Sequence, residues 1–176
     1  MALALEWLQG AGDRVLTQPS DEGRTFVYTD GSCINNGTPK ASGGIGIYYE
    51  DGTKISRPLA KSYRQTNNVA ELEAILVVLR NQVNSGSSSD ITPVSPSDIT
   101  IVTDSEYSIR EISNTHERSG DYPNKSLICE ARDLIARLPG VALMHVRAHT
   151  GKLDRHSVGN SIADQLALEA ARHAGN

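Results

Sequence analysis

Four carboxylates stand at four junctions of this chain, each inside a short polar phrase. They are Asp30 in Tyr28-Thr29-Asp30-Gly31-Ser32-Cys33, Glu71 in Asn67-Asn68-Val69-Ala70-Glu71-Leu72, Asp104 in Thr103-Asp104-Ser105-Glu106-Tyr107, and Asp164 in Asn160-Ser161-Ile162-Ala163-Asp164. Brought together, such groups repel and raise one another's pKa. Hard divalent cations with oxygen ligands relieve that repulsion, Mg²⁺ above all and Mn²⁺ as a substitute. The lack of a Cys/His cluster argues against zinc. Two such ions ~3.5–4 Å apart form a clamp for in-line phosphoryl displacement, one lowering the pKa of the attacking water and the other stabilising the departing oxygen. The four phrases point to metal-dependent cleavage of a phosphodiester.

Each acid also has an ordinary reading. Asp30 follows an apolar segment and precedes Gly31-Ser32, as a turn-forming Asp would. Asp104 could cap a helix beginning at Ser105. The two segments argue better together: as parallel neighbouring strands they would deliver both carboxylates side by side at their carboxyl ends, where open α/β sheets place ligands. Glu71 shares a helix side with Ile75 and Val78, so it lies on a largely apolar face and needs a partner. Glu73 shares its side with Arg80 and reads as solvated. Asp164 lies one turn beyond Asn160 and takes its weight from the preceding His149-Thr150-Gly151 phrase. A histidine on such a loop titrates near neutrality and can carry a proton; the alternative for His149 is an exposed loop residue, and His156 could occupy the same loop.

The elements that must position these groups follow from periodicity. Strands are predicted at Thr25 to Thr29, Gly43 to Tyr49, a segment after the Asp51-Gly52 turn toward Pro58-Leu59, Ile99 to Thr103, and Val141 to Val146. Helices are predicted from Asn67 to Val83, Ser105 to Ile112, Asn124 to Leu138, and Val158 to His173. Asn84 through Asp98, rich in Ser and Pro, reads as a loop. Residues 1–24 read as an N-terminal extension outside the catalytic fold, and residues 25–176 as one domain. The order β-β-β-α-β-α-α-β-α predicts an α/β fold with a five-stranded mixed sheet, the first three strands antiparallel and then two parallel, flanked by helices.

At 176 residues, 38% hydrophobic and 22% charged, the chain suits one soluble globular domain. No apolar run approaches a membrane span, and the N-terminus carries no basic region of a secretory signal. Cys33 and Cys129 are too few for a disulfide framework and read as reduced thiols, so a cytoplasmic monomer is expected. The net charge of −4 speaks against a general nucleic-acid binder, although carboxylates awaiting cations contribute to it.

Along residues 25–174 the chain resembles the type 1 ribonuclease H family. The resemblance rests on Thr-Asp-Gly-Ser-Cys at 29–33, Thr66-Asn67-Asn68 before the helix carrying Glu71, Thr103-Asp104-Ser105 with Tyr107, and Ala148-His149 with Gly151, followed by Asn160 and Asp164. It implies that Asp30, Glu71, Asp104 and Asp164 hold two Mg²⁺ ions and that His149 assists product release. It implies too that Gly31, Ser32, Cys33, Asn36, Thr66, Asn67, Asn68, Glu106 and Asn160 contact an RNA–DNA hybrid, with Asn36 and Thr66 near a DNA phosphate. The activity implied is endonucleolytic cleavage of the RNA strand, leaving 5′-phosphate and 3′-hydroxyl ends. Readings kept beside it are a reverse-transcriptase domain, a non-catalytic hybrid-binding module, and an integrase-like nuclease acting on DNA.

Three departures from the family's pattern stand out. Residues 114–123 hold no Trp and little basic charge where bacterial members carry a basic protrusion; retroviral and archaeal forms also lack it. Glu106 stands where many members have a neutral side chain. The segment from His149 to Asn160 is longer than usual, and its Lys152, Arg155 and His156 are expected to replace part of the missing basic grip.

Overall fold

The computed structural model describes residues 23–85, 98–114, 119–148 and 151–174. Strands β1 (Thr25–Ile34), β2 (Ser42–Tyr49) and β3 (Lys54–Pro58) precede helix α1 (Asn67–Ser85). They are followed by β4 (Ile99–Thr103), α2 (Glu106–Ser113), α3 (Lys125–Arg137), β5 (Val141–His145) and α4 (Arg155–Ala174). The five-stranded sheet has the order β3-β2-β1-β4-β5. The β1–β2 and β2–β3 pairs are antiparallel, and the β1–β4 and β4–β5 pairs are parallel, as the element order predicts.

Period-two alternation divides the core. Val27, Ile45, Ile47, Ile101 and Leu143 face α1 and α3, while Phe26, Tyr28 and Val102 face α4. Helix α1 is the inner helix: every residue from Leu72 to Leu79 is buried. On α4, Ala163, Ala167, Ala170 and Ala171 are buried against the glycines of β2. A Cβ added at Gly46 would stand 2.0 Å from the Ala163 carbonyl oxygen, so no side chain fits between strand and helix there. Ser42 Oγ and Ser56 Oγ stitch the same contact by donating to the Ala171 and Leu166 carbonyls, each at 2.8 Å.

The elements differ from the sequence expectations in four places. Strand β1 does not end at Thr29 but runs through Asp30 to Ile34, because β2 pairs with it as far as Ile34↔Ser42. Helix α4 begins at Arg155 rather than Val158, since Asp154 Oδ1 accepts from the backbone N–H groups of His156 and Ser157 at 3.2 and 3.0 Å. Arg155 and His156 are therefore helical, not loop, residues. Arg24, the last residue of the expected extension, is tied to the sheet: it donates to Thr100 Oγ1 and to the carbonyls of Ile99 and Gly140. Glu73, read as solvated, is only 6% exposed. It accepts twice from Arg80 at 3.0 and 3.1 Å and faces Arg57 at 3.4 Å, while Arg80 also grips Glu130 of α3 at 2.7 and 2.9 Å. The rest of the extension, residues 1–22, most of the Ser-rich segment and residues 115–118 lie outside the described residues.

Candidate active site

Asp30 and Asp104 fall in one register. The β1–β4 pairing joins Thr25 with Ile99 through Tyr28 with Val102, and its continuation sets Asp30 against Asp104. Because β1 continues beyond β4, Asp30 sits within a paired strand and is not a turn former. It shares the face of Phe26 and Tyr28, the one that α4 covers with Asp164. Glu71 approaches from the opposite face, and Gly31 decides how closely. A Cβ at Gly31 would lie 2.1 Å from the Glu71 backbone nitrogen, so α1 rests directly on the strand beside Asp30.

The electrostatics report the convergence. Asp30 is 7% exposed, and its pKa is pushed up to about 7. Burial is the main cause, followed by the charge of Asp104, with Asp164 and Glu71 adding to it and the Gly31 N–H opposing it. Glu71 is raised as well, chiefly by burial and also by Asp104, against a hydrogen bond from the Ser105 hydroxyl. Ser105 in turn caps α2 by accepting from Ser108 N at 3.1 Å. Asp104 is half-buried and accepts from Asn160 Nδ2 at 2.8 Å through Oδ2. The N-cap of α2 is therefore Ser105 rather than Asp104.

These residues fit hard divalent cations. The donors are carboxylate oxygens, mutually repulsive and partly desolvated, the environment in which a cation is most strongly favoured. Among the described residues, however, no three Asp, Glu, His or Cys side chains stand in a geometry that could hold one ion as they are. Glu71 and Asp104 instead spend an oxygen each on Ser105 and Asn160. Asn160 itself is 3% exposed, and its Oδ1 has no hydrogen-bond partner.

The remaining expected site residues are distributed unevenly. Asn36, Asn67, Asn68 and Glu106 are exposed, and Ser32 is half-buried. Thr66 Oγ1 accepts from Val69 N at 3.3 Å and so caps α1. Gly31 and Cys33 are buried, and Gly31's visible role is steric. Asn160, grouped by sequence with the substrate contacts, holds Asp104. His149 lies outside the described residues. His156, in α4's first turn, packs on the sheet: its ring stands 4.9 Å from that of Phe26, and its Nδ1 is 3.3 Å from the Tyr28 hydroxyl. Arg155 is bound bidentately to Glu50, 2.6 Å at Nη2, and lies 4.4 Å over the Phe26 ring. Its guanidinium is thus engaged within the fold. Ser105 was not singled out by sequence, although its place after Asp104 at a helix start could have marked it.

Comparison with known proteins places this geometry. The family model described as RNase H matches residues 22–172. A ribonuclease H of Schizosaccharomyces pombe is 36% identical over 160 residues, covering 84% of this chain and 53% of that protein. The chain thus spans about half the length of such eukaryotic relatives. Ribonuclease HI of Vibrio parahaemolyticus is 31% identical, covering 84% of this chain and 89% of that one. Among solved structures, a foamy viral protease-reverse transcriptase in complex with RNA/DNA hybrid superposes with a TM-score of 0.68 at 21% identity. That match covers 94% of this chain and 22% of the viral one, and it bears on fold alone.

Proposed function

The chain belongs to the RNase H family, and on that premise we propose that it hydrolyses the RNA strand of RNA–DNA hybrids with two divalent cations, leaving 5′-phosphate and 3′-hydroxyl ends. The observation that carries this reading is the buried Asp30 carboxyl, raised to about 7 by its desolvation and by the acids around it. Asp30, Glu71, Asp104 and Asp164 would hold the cations, Mg²⁺ in preference to Mn²⁺. When bound, these ions supply an activated water and charge neutralisation for the leaving oxygen.

The chain's own residues orient that chemistry. The Ser105 hydroxyl and the Asn160 amide each hold one carboxylate oxygen, of Glu71 and Asp104, which fixes the rotamers of both acids. Gly31 lets Glu71 approach Asp30. Ser32, Asn36, Asn67, Asn68 and Glu106 present polar groups for the hybrid, with Gly31, Cys33 and Thr66 behind them. Contacts to phosphates and 2′-hydroxyls in the minor groove distinguish RNA from DNA without reading bases, so cleavage is sequence-independent. His149 moves a proton during product release.

The test is incubation with labelled hybrid, duplex RNA and duplex DNA, with and without EDTA. Cleavage confined to the RNA of the hybrid and abolished by EDTA is expected; EDTA-resistant cleavage or equal attack on duplex DNA would overturn the assignment. For the histidine, His149→Ala should slow turnover ~10²–10⁴-fold, and a loss at His156→Ala alone would reassign the role.

A further inference from the structure

A groove of about 440 Å³ opens along the first turns of α4, beside Asp164. Arg147 lines it from the segment after β5 and Lys152 from the segment before α4, with Leu153 and Val158 also in its wall. Arg147 and Lys152 are exposed. Leu153 is 92% exposed and Val158 41%, the large hydrophobics exposed among the described residues. A single exposed leucine needs no explanation. Two apolar side chains next to two cations, in a groove that ends at a catalytic carboxylate, do call for one.

We propose that this groove grips the RNA strand beyond the scissile phosphate. Arg147 and Lys152 take a backbone phosphate, and Leu153 and Val158 lie against the adjoining sugar or base. The assignment rests on the hybrid-cleaving reading and adds to it a binding subsite.

Three observations favour this occupant. The groove and the acid cluster share Asp164, so the strand whose phosphate lies among the acids runs directly into it. From Asp164 back to Ser157 the groove follows seven residues of α4, about 10 Å at 1.5 Å per residue. That length matches about three nucleotides at 3.4 Å each along one strand. Charge decides the third point. In a chain of net charge −4, a phosphate needs local cations, and the groove wall brings Arg147 and Lys152 to the same space. A guanidinium matches phosphate geometry bidentately, with the Lys ammonium as a second point charge.

The experiment measures binding of a labelled hybrid to the full chain carrying Asp104→Asn, so that substrate is not consumed, across a salt series. Arg147→Gln and Lys152→Gln should each weaken binding ~10-fold at low salt and lower the slope of log affinity against log salt by about 0.7–0.9, the share of one phosphate. Arg147→Lys should restore the slope. Leu153→Ser should weaken binding ~3-fold with the slope retained. Arg172→Gln, an equal charge change eight residues along α4 from Asp164, should alter neither.

Unchanged slopes at both Arg147 and Lys152, or an equal drop at Arg172, would overturn the subsite. So would a polyglutamate peptide that binds with the same dependence on Arg147 and Lys152, since the groove would then be a general anion surface. Wild-type cleavage assays run in parallel separate the two levels. Hybrid cleavage with unchanged slopes removes only the groove, whereas no Mg²⁺-dependent cleavage of hybrid removes the functional reading and the groove with it.

Discussion

Glu71 and Glu73 stand two residues apart on α1, and they illustrate opposite uses of a desolvated carboxylate. Glu73 is 6% exposed and surrounded by guanidinium, with Arg80 donating to both of its oxygens and Arg57 beside it. The charge is answered within the fold. Glu71 faces other acids and a single hydroxyl, and its pKa rises. The first arrangement ties α1 to β3 and, through Arg80 and Glu130, to α3. The second sets like charges side by side at the end of the central strands, a repulsion that the cations of the proposed reading would relieve. On the proposed reading, the acid whose partner comes from the chain is structural and the one whose partner must be bound is catalytic.

The comparison can be broken most directly at the acid cluster. Asp104→Asn should lower turnover by ~10³-fold or more, about 4 kcal/mol of transition-state stabilisation. The melting temperature of the metal-free protein should hold or rise, because a repulsive charge has gone. Near-normal turnover would show that Asp104 holds no cation.

Glu73→Gln should do the reverse, leaving the acid cluster in place and destabilising the fold. A broken buried pair costs ~3–5 kcal/mol, and the partial exposure of Arg80 and Arg57 reduces this to about 2–3 kcal/mol. For a domain of this size that is a fall of roughly 5–10 °C, read by thermal unfolding. A variant as stable as wild type would place Glu73 among the solvated residues after all.

Asn160→Ala sharpens the comparison between holding and being held. Loss of the amide that orients Asp104 should reduce activity ~10–100-fold and raise the Mg²⁺ concentration needed for half-maximal rate. A pure rise in KM for hybrid, with the Mg²⁺ requirement unchanged, would instead return Asn160 to the substrate contacts.

The last test reads a slope. Asp30 has a folded pKa of about 7 against an ordinary value near 3.8. Between those values folded Asp30 binds more protons than unfolded Asp30, so its contribution to stability falls as pH rises, by up to about 1.4 kcal/mol per pH unit, against the opposite contribution of the lowered Glu50 and Glu130. In EDTA, urea unfolding between pH 4 and 7 should show this decline, and saturating Mg²⁺ should flatten it near neutrality. A stability that rises with pH in EDTA would mean that Asp30 is already compensated within the chain.

How far the sequence reaches is clearest on α1 and α4. The apolar spacing of α1 placed its stripe correctly, and the phrase around Glu71 singled out the acid. Periodicity could not separate Glu73 from solvent, because its burial depends on β3 and α3 closing over that side. On α4 the apolar pattern located the helix but missed its first turn, which is polar; Asp154 as a cap was the readable sign. Arg155 looked like a free cation for the same reason: Glu50, its partner, is 105 residues away.

By itself the sequence determined the strand and helix order and the parallel placement of β1 and β4, and it singled out the four acids as candidates. Each is encoded in local periodicity and in short phrases whose residue types have few other uses together. Only the tertiary structure decided which charges are answered within the chain. It gave Arg80 to Glu73 and Glu50 to Arg155, set Ser105 and Asn160 on Glu71 and Asp104, and let α1 rest on Gly31. Those outcomes depend on which distant surfaces exclude water from a given side chain, and burial of that kind is a property of the packed chain that no local pattern carries.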